Sequence, residues 1–460
     1  MSWSSALPAA LAALAWVLLP GLAATTVAGL RGVAAWAAAP LVSIGVVAGT
    51  AVAAEMVGLP WSPPVALGGA AVLVGVAAAV RFLRRGSGVA GSDGPGPPLA
   101  VLAGAAGAVC LTVLTAVRAI PTPGTLSQTY DAVFHYNAVA AIMASGRGSS
   151  LTVGELTDPA ADGAFYPAAW HDLVALVVQT TGAPVPMATN VVALVVAGVV
   201  WPLSCLLLVR EVAGPRAAAC LAAPLVAVGF IAFPWSLMSF GVLWPNLIGL
   251  ALVPAALAAV VAVCGLARDS ALGNAHAVQL LVVGAVAIGL GHPGAAFSLA
   301  VLSVAPLLWW LAARLRTLVS AGRVLLTAVT AAVPVVLAVG ATAVVTSPLF
   351  DGVRSFDWPA YQLPSQAAGE VLLNATNGKD AAWAISAVVV VGAFAATRER
   401  TWRWLLPAHL ASAMLFVLAS SLETPLAATL TGLWYNDSFR LAAMVPVTGV
   451  PLAVLGLLAI

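Results

Sequence analysis

Charge is scarce in these 460 residues: Asp, Glu, Lys and Arg together make 7%, against about 25% in an ordinary soluble domain. So few charges cannot cover a globular surface, which excludes a soluble enzyme. Lysine is almost missing. Of 18 basic residues 17 are arginine, and the exception is Lys379. The arginines lie in short clusters between apolar runs and form no basic stripe, so no nucleic-acid partner is expected. Cysteine is limited to Cys110, Cys205, Cys220 and Cys264, all inside apolar runs. None sits in a Cys-x-x-Cys pair, so neither zinc nor a disulfide framework is indicated. The P-loop, HExxH and GxSxG patterns are missing, which argues against ATP-driven transport and common hydrolase or zinc-protease chemistry. The alternation of an outer-membrane strand is missing too.

What is present is apolar: 62% of the residues are hydrophobic, and mean hydropathy is +1.06. Runs of Ala, Val, Leu and Gly recur at the roughly 20-residue length that crosses a hydrocarbon core. Candidate spans fall near 5–28, 33–54, 65–83, 99–117, 187–209, 217–235, 242–265, 277–291, 295–313, 324–346, 380–396, 403–420 and 441–460. The expected fold is an all-α polytopic membrane protein of about 13 spans. A Gly/Ser/Pro stretch at 86–98 reads as a cytoplasmic linker between a three-span module, 1–85, and a core, 99–460.

With the N-terminus outside, 13 of the 18 basic residues fall in one set of loops. The positive-inside rule places that set in the cytoplasm. The acids played no part in this choice, yet 12 of the 16 fall on the other side. The plasma membrane is the expected location. No Lys or Arg precedes the first apolar run, so a retained first span is expected rather than a signal peptide.

The outer side has substantial loops at about 118–186, 347–379 and 421–440. In the first, PTPG breaks the chain, and TYDAVFHYNAVAAIMASG reads as a helix closed by Gly146. Asp131 and His135, four apart, share one face near its start, where the helix dipole favours an anion. The pair could move a proton, or supply two ligands to a divalent ion such as Mg or Mn. Alternatively Asp131 only caps the helix and His135 is solvated. Residues 166–181 are expected to form a helix lying on or dipping into the outer surface. There Tyr166, Trp170 and His171 either anchor the chain at the interface or line a sugar or headgroup site.

Gly-His-Pro-Gly at 291–294 puts His292 at a tight outer turn, as a phosphate contact or as a turn residue in headgroup water. In the last outer loop Trp434, Tyr435, Asn436, Asp437 and Arg440 converge within seven residues. An arginine there suits a phosphate, or snorkels, or pairs with Asp437. Residues 233–246 form an aromatic turn, and His409 lies inside a span.

The run YDAVFHYNAVAAIMASG, followed by YPAAWH, WPN, GHPG and WYNDSFR, resembles an uncharacterised family of actinobacterial polytopic membrane proteins over about 120–445. That family is similar in layout to the GT-C superfamily of membrane glycosyltransferases. The resemblance implies a large first outer loop with interfacial helices, a polyprenyl-phosphate sugar donor, a glycan or glycolipid acceptor and inversion of the anomeric centre. It also implies a loop acid serving as base or metal contact, and Asp131 matches that acid. Three extra spans before the loop, and a lone acid followed by His135, depart from the pattern. The resemblance leaves room for an outer domain beyond LGLLAI.

On this reading Asp131 is the base, and His135 orients the acceptor or helps hold an ion. His292 and Arg440 hold the donor phosphate. Trp170 and Trp434 stack on sugar, with Tyr166, His171, Tyr435, Asn436 and Asp437 around it. A transporter or lipid flippase, and a non-catalytic envelope assembly partner, are the alternatives.

Overall fold

A computed structural model describes residues 2–84, 98–157 and 163–460. Apart from Pro98, the expected linker at 86–98 lies outside the described residues, as do Asp158 and Asp162. Among the described residues there are twenty α-helices and no strand. In chain order they begin with α1 (Leu7–Ala28), α2 (Gly32–Met56), α3 (Pro63–Arg84), α4 (Pro98–Ala119), α5 (Ala132–Ser145), α6 (Ala169–Thr181), α7 (Val185–Val195), α8 (Trp201–Ala213), α9 (Ala217–Ala227) and α10 (Ser236–Ser239). Then follow α11 (Trp244–Val263), α12 (Gly273–Gly291), α13 (Pro293–Ser320), α14 (Val324–Val345), α15 (Asp351–Arg354), α16 (Pro364–Leu372), α17 (Trp383–Arg398), α18 (Leu405–Ser421), α19 (Pro425–Thr431) and α20 (Ser438–Ala459).

Ten of the described helices are long and apolar enough to cross a membrane. They are α1 to α4, the α7–α8 pair joined through a π-turn, α11 to α14, and α20. The α9–α10 segment passes the same test only as a pair, 217–227 and 231–239, bent by 41°; within its second half Phe233 departs from helical geometry, next to Pro234, which has no backbone donor. Helices α17 and α18 are apolar but shorter. The ten long helices are what length and composition establish; the expected 13 segments also need the bent pair and the two shorter helices.

The bundle is built around α8, α11 and α20, whose residues are nearly all buried. Small residues set its closest crossing. Gly392 of α17 and Gly456 of α20 face each other's helix so tightly that a Cβ on either would strike the backbone at Leu452 or Val388. This is the small-residue packing that holds helices together where lipid offers no hydrophobic drive. The first three helices do not stand apart from the rest. Helix α2 packs on α8 and α12, and α1 on α6 and α7, so one core runs from Ala6 to Leu455.

Helix α6 differs from the expected surface helix. Its 13 residues make it about 20 Å long, too short to cross. It is tucked inside the bundle, with Ala169 through Val177 buried. The Trp16 indole N–H of α1 donates to Thr180 Oγ1 at 3.1 Å.

The two ends of the bundle differ in chemistry. At one, Arg81 donates to the Val27 carbonyl at 3.0 Å and Arg210 to the Asp269 carbonyl at 2.8 Å. There Glu211 accepts from Ser270 Oγ and the Ala271 N–H. At the other, α5, α6, α11, α13 and α20 all begin. His409 bonds across α18 and α20 to Thr448 Oγ1 at 2.9 Å, a structural role inside the bundle.

Candidate functional site

Five helix N-termini meet at that second end, and each contributes polar groups. Helix α5 brings Asp131 and His135, α6 brings His171 and Asp172, and α11 brings Trp244. His292 caps α13, and Arg440 lies in the first turn of α20. Unpaired N–H groups and dipoles at helix starts favour an anion, and here several point to one region.

Arg440 is the centre of the cluster. Its side chain is 12% exposed and its Nε lies 3.1 Å from Asp437 Oδ2. Its guanidinium carbon sits 4.5 Å from the centroid of the Tyr435 ring, a cation–π geometry. Its Nη1 is 2.9 Å from His292 Nε2. The local pair with Asp437, one of the alternatives to a phosphate contact, is present, and Asp437 also caps α20 by accepting from the Phe439 N–H at 2.8 Å.

The His292 contact contains a conflict. Its Nδ1 is 3.0 Å from the Gly294 N–H, which donates to it. Its Nε2 faces Arg440, which only donates. Burial and the Arg440 charge push His292 well below its ordinary pKa, so the ring is neutral and carries one N–H. Whichever nitrogen holds that proton, it faces another donor. Two donors converging on one point make a place for an acceptor oxygen.

Asp131 reaches solvent at the rim, with its backbone N–H donating to Gly241 O at 3.3 Å. It occupies the cap position of α5 but its side chain makes no capping bond. Partial burial raises its carboxyl above the ordinary value, and Arg440 draws it back part of the way. This corrects the expectation of a carboxylate stabilised by the helix start.

His135 is not solvated. It is buried, with Nδ1 3.0 Å from His171 Nε2, and Trp244 lies 5.4 Å away between ring centroids. Burial, then the Arg440 charge, hold its pKa down to about 3, against a smaller upward pull from the Val242 carbonyl. Both histidines of the pair stay neutral at physiological pH, since burial holds His171 well below its usual value too. Beyond them Asp172 is fully buried, and neither carboxyl oxygen has a hydrogen-bond partner. Burial pushes its pKa well above its ordinary value, with Glu55 adding to the rise.

Several expected sugar contacts are corrected. Trp170 is wholly buried and stacked on Trp244, centroids 5.7 Å apart and planes 13° apart. Trp434 is buried, and its indole donates to Ser298 Oγ at 2.9 Å. Neither ring has a face free for a sugar. Asn436 is used twice within the fold, donating to the Phe356 carbonyl and accepting from Thr431 Oγ1, both at 2.7 Å. Asp437 serves Arg440, and His171 serves His135. Tyr166, packed on Phe134 at 4.6 Å, and Tyr435 remain half-buried at the site. Arg440 and Asp131 both act on the Tyr166 hydroxyl, whose pKa burial raises.

The donors present do not build a cation site. Asp131 is the one unengaged carboxyl here that reaches solvent, Asp172 being wholly buried, and His135 Nδ1 is bonded to His171. Among the described residues no three His, Cys, Asp or Glu side chains are grouped to hold a metal.

Sequence reasoning missed the strained backbone around the cluster. Val242 has φ 49°, Tyr435 φ 64° and Asn436 φ 54°, left-handed values that cost non-glycine residues of order 1–3 kcal/mol each. The β-branched Val242 is the most unusual of them. It links α10 to Trp244 and places its carbonyl near His135. The WPN and WYND runs were visible, but nothing in them signals φ.

Neither the curated proteins nor the solved structures give a match to this chain. A family of unknown function, DUF6541, matches residues 14–460. The chain therefore belongs to the DUF6541 family.

Proposed function

We propose that this protein is a membrane glycosyltransferase. It moves a sugar from a polyprenyl-phosphate donor to a cell-envelope glycan or glycolipid acceptor. The site lies at the outer face of the plasma membrane, in a bundle of thirteen spans with its N-terminus outside. The observation that carries the reading is the convergence of the His292 and Arg440 N–H groups, beside a solvent-reaching carboxylate with a raised pKa.

Asp131 takes the proton from the acceptor hydroxyl. A carboxylate with a raised pKa is the better base. The acceptor oxygen attacks the anomeric carbon as the bond from that carbon to the donor phosphate oxygen breaks. The electron pair leaves on the phosphate, and the anomeric centre inverts. Arg440 and the N–H of His292 meet that growing charge, where fixed donors contribute most. Asp437 and the Tyr435 ring hold the guanidinium in place. His135, locked by His171, walls the site and positions α5 rather than accepting the proton.

The test is transfer from a polyprenyl-phosphate sugar by purified protein in lipid. Asp131→Asn is expected to cut turnover by about 10²–10⁴ with unfolding temperature unchanged. Full turnover by that variant overturns the base assignment. The bent α9–α10 pair beside the site favours one second reading, a transporter, because transporters use broken helices. Movement of a lipid across liposomes without sugar transfer would select it.

A further inference from the structure

At the opposite end of α13 lies a second feature, independent of the proposed transfer. A crevice of about 430 Å³ runs between α13 and α18, within the size range of small-molecule sites. Its walls are Leu308, Trp309 and Ala312 on one helix and Pro407 on the other. Its mouth carries Arg316, Arg400 and Arg403.

All three arginines are exposed. Arg403 Nε donates to the Thr397 carbonyl at 2.9 Å. The guanidinium of Arg400 lies 6.0 Å from the Trp309 ring centroid. Among the described residues none of the three makes an ion pair. Glu399 is the one acid in the α17–α18 turn, against Arg398, Arg400 and Arg403. Val304 and Leu308, at 51% and 52% exposed, leave the crevice open sideways to the bilayer. Arg314 and Arg323 add to the positive charge of this end.

We infer that this crevice binds an anionic glycerophospholipid of the cytoplasmic leaflet, with an acyl chain between α13 and α18 and its phosphate on Arg316, Arg400 and Arg403. Charge complementarity picks the occupant. An apolar slot alone would take any acyl chain, but three uncompensated guanidinium groups at its mouth select a phosphate with net negative charge. The positive-inside rule puts this end at the leaflet that carries such lipids.

The test is native mass spectrometry of the full chain released from detergent with phosphatidylglycerol or with phosphatidylcholine. The wild type is expected to retain phosphatidylglycerol adducts and to shed phosphatidylcholine. Each charge near an anionic headgroup is worth about a factor of five, so R316Q/R400Q/R403Q is expected to bind phosphatidylglycerol about 100-fold more weakly. A312F, which fills the slot and keeps the arginines, is expected to lose the adduct as well. R314Q/R323Q, on the same face but outside the crevice, is expected to keep it. Equal retention of both lipids by the wild type overturns the proposal. So does undiminished binding by the triple variant, or equal loss in R314Q/R323Q, which would make the effect one of general surface charge. Sugar transfer is not read here, so failure of the lipid site leaves the proposed activity to its own test.

Discussion

Arginines gather at both ends of helix α13, and the two ends use them differently. Near its start, Arg440 is held by an acid and an aromatic face, with the His292 ring against it. Near its finish, Arg316, Arg400 and Arg403 stand exposed with no acid on them. A buried guanidinium needs its partners, because desolvation leaves an unpaired group several kcal/mol worse off. An exposed one keeps its water and is free for a ligand. One end is thus pre-organised and internally strained, and the other is open and adaptable.

The sharpest way to break this contrast is to remove Arg440. Arg440→Ala leaves Asp437 buried without its counter-charge, and losing one partner of a buried pair costs about 3–5 kcal/mol. It also removes a phosphate donor, worth about 10²–10³ in turnover. The expected outcome is a large drop in unfolding temperature together with loss of transfer. Arg440→Lys, keeping charge without the fork, should recover more stability than activity. If Arg440→Ala melts like the wild type, the paired end is no more structural than the open one.

A smaller and more diagnostic effect is expected at His292. Gln there reaches Arg440 with a carbonyl oxygen, which removes the donor–donor conflict. His292→Gln is therefore expected to keep or raise the unfolding temperature while weakening binding of a soluble polyprenyl-phosphate analogue about tenfold, near the 1.4 kcal/mol of one charged hydrogen bond. Calorimetry on the two proteins separates these outcomes. Unchanged affinity would mean that the converging N–H groups serve no anion.

Acid sensitivity comes next. The pKa of His135 is about 3 when folded, against 6.5 for the free side chain. Between those values the unfolded chain binds a proton that the folded one refuses, so stability falls as pH drops from 6.5 toward 3. His171 and His292 shift the same way. Asp131, Asp172 and Asp437 are raised by burial and oppose the trend, gaining stability as they protonate. His135→Asn, with no proton to refuse, is expected to flatten the loss between pH 6.5 and 4 in a melting series. An unchanged slope would place the sensitivity elsewhere.

Much of the architecture was legible in the residues, because apolar run length is a direct consequence of bilayer thickness. What runs of apolar residues do not carry is burial. Helices α11 and α14 have the same mean hydropathy. Yet every residue from Trp244 to Ala262 is buried, and α14 buries none. Lipid is as apolar as leucine, so both environments select the same side chains. The cluster shows the matching limit. Asp131, His135, His171, His292 and Arg440 could be named as polar groups at loop ends, and the bundle brings them to one end. Whether a tryptophan offers its ring or buries it depended on a partner 74 residues away for Trp170, namely Trp244. No local spacing encodes that.

The smallest expected effect belongs to the open end. R316Q/R400Q/R403Q touches three exposed side chains whose contacts among the described residues are the Arg403 bond to the Thr397 carbonyl and the approach of Arg400 to the Trp309 ring. Exposed sites of this kind usually change stability by no more than about 0.5 kcal/mol each. Without added anionic lipid the triple variant is therefore expected to melt within a few degrees of the wild type. With phosphatidylglycerol present the wild type should gain stability and the variant should not, because a ligand that binds only the folded state stabilises by mass action. The difference between the two melts, rather than either alone, measures the arginines as a ligand site. A large loss without lipid would instead make them structural, and the contrast between the two ends of α13 would disappear.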